Sequence, residues 1–358
     1  MVHHRSASSR SAGRKEEGNG EGGQESFATA AVADLPPWLQ PEFERLLHLH
    51  DRQRLHHALL LTGRTGLGKR LLAGVLARSL LCEERAGRPC EHCRACQLTA
   101  AGSHPDFRAI GPRQGGDRGE IVIDSVRALV DFLHLSAQRR GNRVAVILPC
   151  DRLNRAAANS LLKSLEEPPD GVYLILATGR PGRLPATIRS RCAVRTLGPP
   201  EAQQAEEWLH RRQPGAGRDA IRKALALAGD MPLAAEGILA EHGLERYESL
   251  LQQFHRLAAG GDPVKEAQDW EQAPGGLADG LCAILADLIR RHHGAPPKGL
   301  ASGELEHRIA TQAGIPAQSL HQAYLTIAEH RRSLDQPLNG RLAAEAILLD
   351  LSRTIFRR

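Results

Sequence analysis

Three short apolar runs, Ala58–Leu61, Val144–Leu148 and Val172–Ala177, and two mixed ones, Phe107–Ile110 and Ala193–Leu197, punctuate the first two hundred residues. Each is too short for a core helix and reads as a strand; the three apolar runs suit strands covered on both faces. Between them lie segments with apolar residues at helical spacing: Pro41–His50, Leu71–Leu81, Val126–Leu135, Arg155–Glu167 and Leu184–Arg191. Alternating strands and helices predict an α/β domain, a parallel doubly wound sheet with helices on both faces. From Pro199 onward the pattern is helical only, over Glu201–Gln213, Asp219–Ala228, Met231–Glu241, Glu245–Ala258, Gly276–His293, Ser302–Ala313, Ser319–Leu334 and Gly340–Phe356. Gly260–Asp262 reads as a hinge. Residues 1–33 are rich in Ser, Gly, Glu and Arg and read as a disordered tail. The expected organisation is therefore a tail (1–33), an α/β domain (34–198) and two all-α regions (199–258 and 263–358).

The first strand runs directly into Gly63-Arg64-Thr65-Gly66-Leu67-Gly68-Lys69-Arg70 and then a helix. Strand, glycine loop and helix is the order a phosphate-binding loop needs: the glycines let backbone N–H groups converge on an anion, and the helix N-terminus adds its dipole. Gly63-x4-Gly68-Lys69 fits the signature G-x-x-x-x-G-K-[ST] up to its last position. There a hydroxyl should hold magnesium, and the chain has Arg70, which offers no acceptor. The second apolar strand of a hydrolysing P-loop ATPase should end in an acidic pair that orients magnesium and water. Here it ends Leu148-Pro149-Cys150-Asp151, with Asp151 some residues too late and read as a helix start. Thr178, at the tip of the next strand, is placed either to contact a γ-phosphate or to cap a turn. Gly63, Gly66, Gly68, Lys69 and Thr178 are thus a degenerate nucleotide-binding set, and ATP binding by this chain is doubtful.

Seven cysteines change the picture in one place. Cys82, Cys90, Cys93 and Cys96 cluster, while Cys150, Cys192 and Cys282 stand alone. Four soft thiolates at this spacing suit a closed tetrahedral zinc site, structural rather than catalytic; an iron–sulfur cluster is the rival. Adjacent His56 and His57 would point to opposite strand faces and make poor joint ligands. The net charge of +6 permits nucleic-acid contact, and Arg127, Arg139, Arg140 and Arg143 are candidate phosphate contacts or a solvated face. Aromatics at 3% argue against base-stacking platforms. No apolar run approaches membrane-spanning length and no signal peptide is visible, so the expectation is a cytoplasmic protein.

Several stretches resemble the bacterial clamp-loader family of AAA+ proteins. They are Arg54-Leu55-His56-His57-Ala58-Leu59-Leu60, the four cysteines, Ser103-His104-Pro105-Asp106, Ala158-Asn159-Ser160-Leu161-Leu162-Lys163-Ser164-Leu165-Glu166-Glu167-Pro168-Pro169, and Ile188-Arg189-Ser190-Arg191-Cys192. The likeness is strong over residues 35–200 and weaker beyond. It implies an AAA+ sheet domain, a helical lid (199–258) and a helical collar (263–358) that joins five related subunits in a ring. The ring loads a sliding clamp onto primed DNA for DNA polymerase III. It further implies that Arg191, flanked by Ser190 and Cys192, is an arginine finger delivered to a neighbouring subunit's ATP; the alternative is that Arg191 only pairs with a local carboxylate. A family ATPase would also carry an arginine in the lid near Ala228-Gly229-Asp230-Met231, where this chain has Pro232. Missing catalytic parts together with a retained finger suit a non-hydrolysing subunit, acting within a nucleoid-associated replisome. An active motor ATPase and a zinc-dependent nucleic-acid-binding module with a vestigial P-loop are the competing readings.

Overall fold

A computed structural model of the chain describes residues 32–112, 119–135, 137–139, 141–295, 314–334 and 339–356. The expected tail up to residue 31, Arg140 and the expected helix Ser302–Ala313 lie outside the described residues. The strands are β1 (Ala58–Thr62), β2 (Phe107–Ile110), β3 (Arg143–Ile147), β4 (Val172–Thr178) and β5 (Ala193–Thr196), in the order β2-β3-β4-β1-β5. Every neighbouring pair is parallel.

Side chains alternate across a strand, so each face of this sheet draws its own half of the apolar runs. Leu59, Leu61, Val144, Val146, Ile175 and Ala177 bury one face beneath α1 (Gln40–Asp51) and α2 (Lys69–Leu81). Ala58, Leu60, Ala145, Ile147, Leu174 and Leu176 bury the other beneath α4 (Ile123–His134), α5 (Arg155–Glu166) and the single turn α6 (Ala186–Arg189). Between α2 and β2 lies α3 (Arg94–Ala100), which follows the cysteine segment. The expected α/β sheet with helices on both faces is the architecture observed.

Some local expectations are corrected. The sequence offers Asp124 or Ser125 as the cap of the helix expected over Val126–Leu135, but α4 starts at Ile123 and neither residue caps it. Ile121 is pinned to the loop before α5, donating to Arg152 O at 2.8 Å and accepting from Asn154 N at 3.2 Å, so the helix follows directly. The helix expected over Leu184–Arg191 shrinks to α6. His56 and His57 precede β1 rather than join it, and their rings stack at 4.3 Å instead of facing apart.

A second core unites α7 (Ala202–Arg212), α8 (Arg218–Leu227) and α9 (Pro232–Ala240) through Trp208, Leu209, Ile221, Ala224 and Ala235. A third joins α10 (Gly243–Ala258), α12 (Pro274–His292), α13 (Ala317–Ser333) and α14 (Gly340–Ile355). The short α11 (Pro263–Glu266) links α10 to this bundle. Helix α10, grouped with the lid in the sequence reading, buries Tyr247, Leu250, Phe254 and Leu257 in this last core. Among the described residues no helix is long and apolar enough to cross a membrane.

Candidate functional site

The parallel pairing aligns Thr62 of β1 with Thr178 of β4, so the glycine loop opens beside the β4 tip. This is the strand end at which open α/β sheets place their ligands. The loop's own groups, however, are engaged within the chain. Lys69 is buried, and its Nζ donates to Gly63 O and Arg64 O, both at 2.8 Å. Gly66 O accepts from Leu233 N at 3.1 Å, and Arg64 Nη1 donates to Gly229 O at 2.9 Å. Leu67 O accepts from the Trp38 indole at 2.9 Å, and Trp38 in turn packs edge-on against Trp208 at 5.2 Å. The start of α9 therefore lies against the loop. A Cβ on Gly66, which has φ +87°, would come within 2.8 Å of Ala234 Cβ and 2.9 Å of Met231 Cβ. Glycine is required here by both backbone conformation and close approach. Pro232 opens α9 as its first residue, in place of an arginine that could reach a phosphate.

On the β4 side of the loop, Asp151 lies in the first turn of the short 3-10 helix Cys150–Arg152 rather than at the start of α5, which Asn154 caps, its side chain accepting from Ala157 N at 2.9 Å. Asp151 accepts from Thr178 Oγ1 at 2.5 Å, while Thr178 Oγ1 accepts from Arg180 N at 2.8 Å. Of the two readings of Thr178, the contact observed is the turn cap: its hydroxyl takes the Arg180 N–H and is itself held by an internal carboxylate. Arg70 lies in the first turn of α2, where the magnesium-binding hydroxyl is missing.

Arg191 is separate from this loop. Its Nε donates to Glu166 Oε1 at 2.7 Å, and Nη2 lies 2.5 Å from the same oxygen. Nη1 donates to Thr187 O at 3.0 Å and lies 3.5 Å from Ser190 Oγ. The Arg191 side chain is 35% exposed, so part of it faces solvent. Cys192 is half-buried behind it, and burial pushes its thiol up to about 11, which keeps it neutral near pH 7. Sequence reasoning missed Glu166, although two acids at a helix C-terminus, where the dipole disfavours them, were a visible signal.

The four cysteine sulfurs all lie within 4.8 Å of one another, with Cys82 Sγ and Cys93 Sγ at 3.9 Å. A tetrahedral site with metal–sulfur bonds of about 2.3 Å needs sulfurs about 3.8 Å apart, so the cluster could hold a metal ion. Backbone N–H groups already point at the sulfurs: Cys90 N to Cys82 Sγ at 3.4 Å, Cys93 N to Cys90 Sγ at 3.3 Å and Cys96 N to Cys93 Sγ at 3.4 Å. Burial pushes Cys82 and Cys96 up. At Cys93 burial also raises the thiol, but hydrogen bonds from Glu83 and Cys96 outweigh it and bring it to about 7. Such a set favours thiolates only in the company of a cation. His92 is exposed and bonds to Cys90 O, so it is no ligand.

The basic turn is structural where it is described. Arg143 is 2% exposed, donates to Asp106 Oδ1 at 3.0 Å and Phe132 O at 2.5 Å, and lies over the Phe132 ring at 4.6 Å. Buried Asp106 also accepts from Gln138 N and Arg139 N, each at 2.9 Å. That rules out Arg143 as a phosphate contact, since breaking such a buried pair costs about 3–5 kcal/mol. Arg139 pairs with Glu83 beside the first cysteine, and Arg127 forms a surface pair with Asp124 at 3.8 Å.

The fold and site together define a parallel α/β protein with a glycine loop of P-loop spacing, whose Lys69, Gly66 and Thr178 are engaged by partners within the chain. Comparison with known proteins narrows this. Residues 39–201 match the family described as "DNA polymerase III, delta subunit", and residues 241–353 match "DNA polymerase III, delta subunit, C terminal". A protein of Escherichia coli (strain K12), "DNA polymerase III subunit delta'", is 39% identical over 318 residues, covering 88% of this chain and 93% of that protein. The protein of the same name in Pseudomonas aeruginosa is 35% identical over 283 residues, 78% of this chain and 84% of that one. The chain belongs to the DNA polymerase III subunit delta' family.

Proposed function

We propose that the chain is the non-hydrolysing subunit of a DNA polymerase III clamp loader, and that it completes a neighbouring subunit's ATP site with Arg191. The observation that carries this reading is a contrast between two sites. The chain's own loop spends Lys69 on Gly63 O and Arg64 O, and Thr178 on Asp151, whereas Arg191 is held out at the surface. A guanidinium supplied in trans stabilises charge on a transferring phosphoryl group, and needs no nucleotide on the chain that supplies it. An active motor would require the missing hydroxyl and acidic pair, and the closed loop argues further against it.

In this reading the partners are the companion ATPase subunits of a five-membered ring, the sliding clamp, and primed DNA through the assembly. Zinc fills the four-cysteine cluster and fixes the segment between α2 and α3; the reaction passes through the neighbour's site. The test is clamp loading by the reconstituted assembly with and without this chain. Loading should be lost when the chain is omitted, and loading at the full rate without it would contradict the proposal.

A further inference from the structure

The finger's geometry raises a question that the charge of Arg191 alone leaves unanswered: what aims it. The side chain has several rotatable bonds, and an exposed arginine loses its rotamer freedom when it engages a phosphate. Here that freedom is already restricted. Two elements converge on the guanidinium, the C-terminal residue of α5 through Glu166 and the turn α6 through Thr187 O. Glu166 Oε1 takes the Nε–H and one N–H of Nη2, which is the side edge of the planar group. Thr187 O takes one N–H of Nη1. Ser190 Oγ accepts from the same Nη1 only at 3.5 Å, the longest of these contacts, so the end edge, shared by Nη1 and Nη2, is held far less tightly than the side edge and is the one that can grip two oxygens of one phosphate.

The placement of Glu166 is otherwise unfavourable. Glu166 ends α5 and Glu167 caps it, where the helix dipole disfavours anions, and Lys163 is the single cation in that last turn. A local rule broken in this way points to a compensating use. We infer that Glu166 is a positioning residue for Arg191: its carboxylate holds the side edge of the guanidinium so that the end edge is presented to the neighbour's phosphate. The inference rests on the trans role proposed above. It assigns Glu166 no contact with substrate.

The test uses the reconstituted assembly. ATP turnover is measured against ATP concentration with wild-type chain, Glu166→Ala, Glu166→Gln, Arg191→Ala and the double variant Glu166→Ala/Arg191→Ala. The turnover that Arg191→Ala removes is the share the finger serves. Glu166→Ala should cut that share about tenfold, as loss of alignment does, without changing the ATP concentration at half-rate. Glu166→Gln keeps an acceptor oxygen in the same place and should retain most of the share. The double variant should match Arg191→Ala. The pair is exposed, so neither single variant should alter folding. If Arg191→Ala has no effect, the trans reading falls and this inference with it. If Arg191→Ala slows turnover while Glu166→Ala equals or exceeds wild type, the inference alone is overturned, and Glu166 is a competitor of the phosphate.

Discussion

Replacing Arg191 with alanine should lower turnover at the one ATP site it serves by on the order of a thousandfold. Only that site depends on it, so total hydrolysis by the assembly should fall in part, and clamp loading, which needs the sites to act together, should fall further. The side chain is 35% exposed and is restrained by Glu166 and Thr187 O, so alanine removes a pre-aimed charge rather than a core contact. Lysine at this position should recover little, because an ammonium cannot hold the carboxylate and a phosphate through separate edges. DNA-stimulated hydrolysis and clamp loading measured side by side check the prediction. Equal rates for wild type and Arg191→Ala would leave the residue a surface pairing partner of Glu166.

The second large effect concerns the metal. Protein purified without chelator should carry one zinc per chain, and Cys96→Ala should carry far less. Structural zinc in small modules binds with about 10–16 kcal/mol of apparent free energy, most of it expressed as folding of the segment that holds the ligands. Two ties depend on that segment here. Arg88, just before Cys90, pairs with Asp51 on α1, and Glu83, just after Cys82, pairs with Arg139. Stripping the metal should free both and open residues 82–96 to proteolysis, while the sheet, which has its own two cores, stays folded. Elemental analysis and limited proteolysis read the two halves of this expectation. Metal-free protein with an undiminished, protease-resistant segment would refute the site.

The elements that sequence made legible are those set by local pattern. Apolar runs located β1, β3 and β4 to within a residue, because a strand buried on both faces admits little else, whereas the edge strands β2 and β5 carry Arg108 and Arg195 and are only partly buried. The glycine loop and the cysteine cluster were legible because their chemistry depends on spacing. What escaped were pairings across long stretches of chain. Asp151 looked like a helix start, but Asn154 three residues on takes that role and Asp151 turns to Thr178. Arg143 looked like part of a basic surface, but Asp106, which precedes β2, and Phe132 on α4 bury it. The closure of the glycine loop by Met231, Leu233 and Ala234 depends on how the second core sits against the first, and no motif encodes that.

The central claim is that this chain turns over no ATP itself and acts on its neighbours' ATP. Steady-state magnesium-ATP hydrolysis tests it most directly, measured for the purified chain, for the companion ATPase subunits, and for the two combined. Hydrolysis by the chain alone should stay at background at every ATP concentration, and the partners' turnover should rise clearly when the chain is added. Sustained turnover by the chain alone, or partners indifferent to its addition, would contradict it.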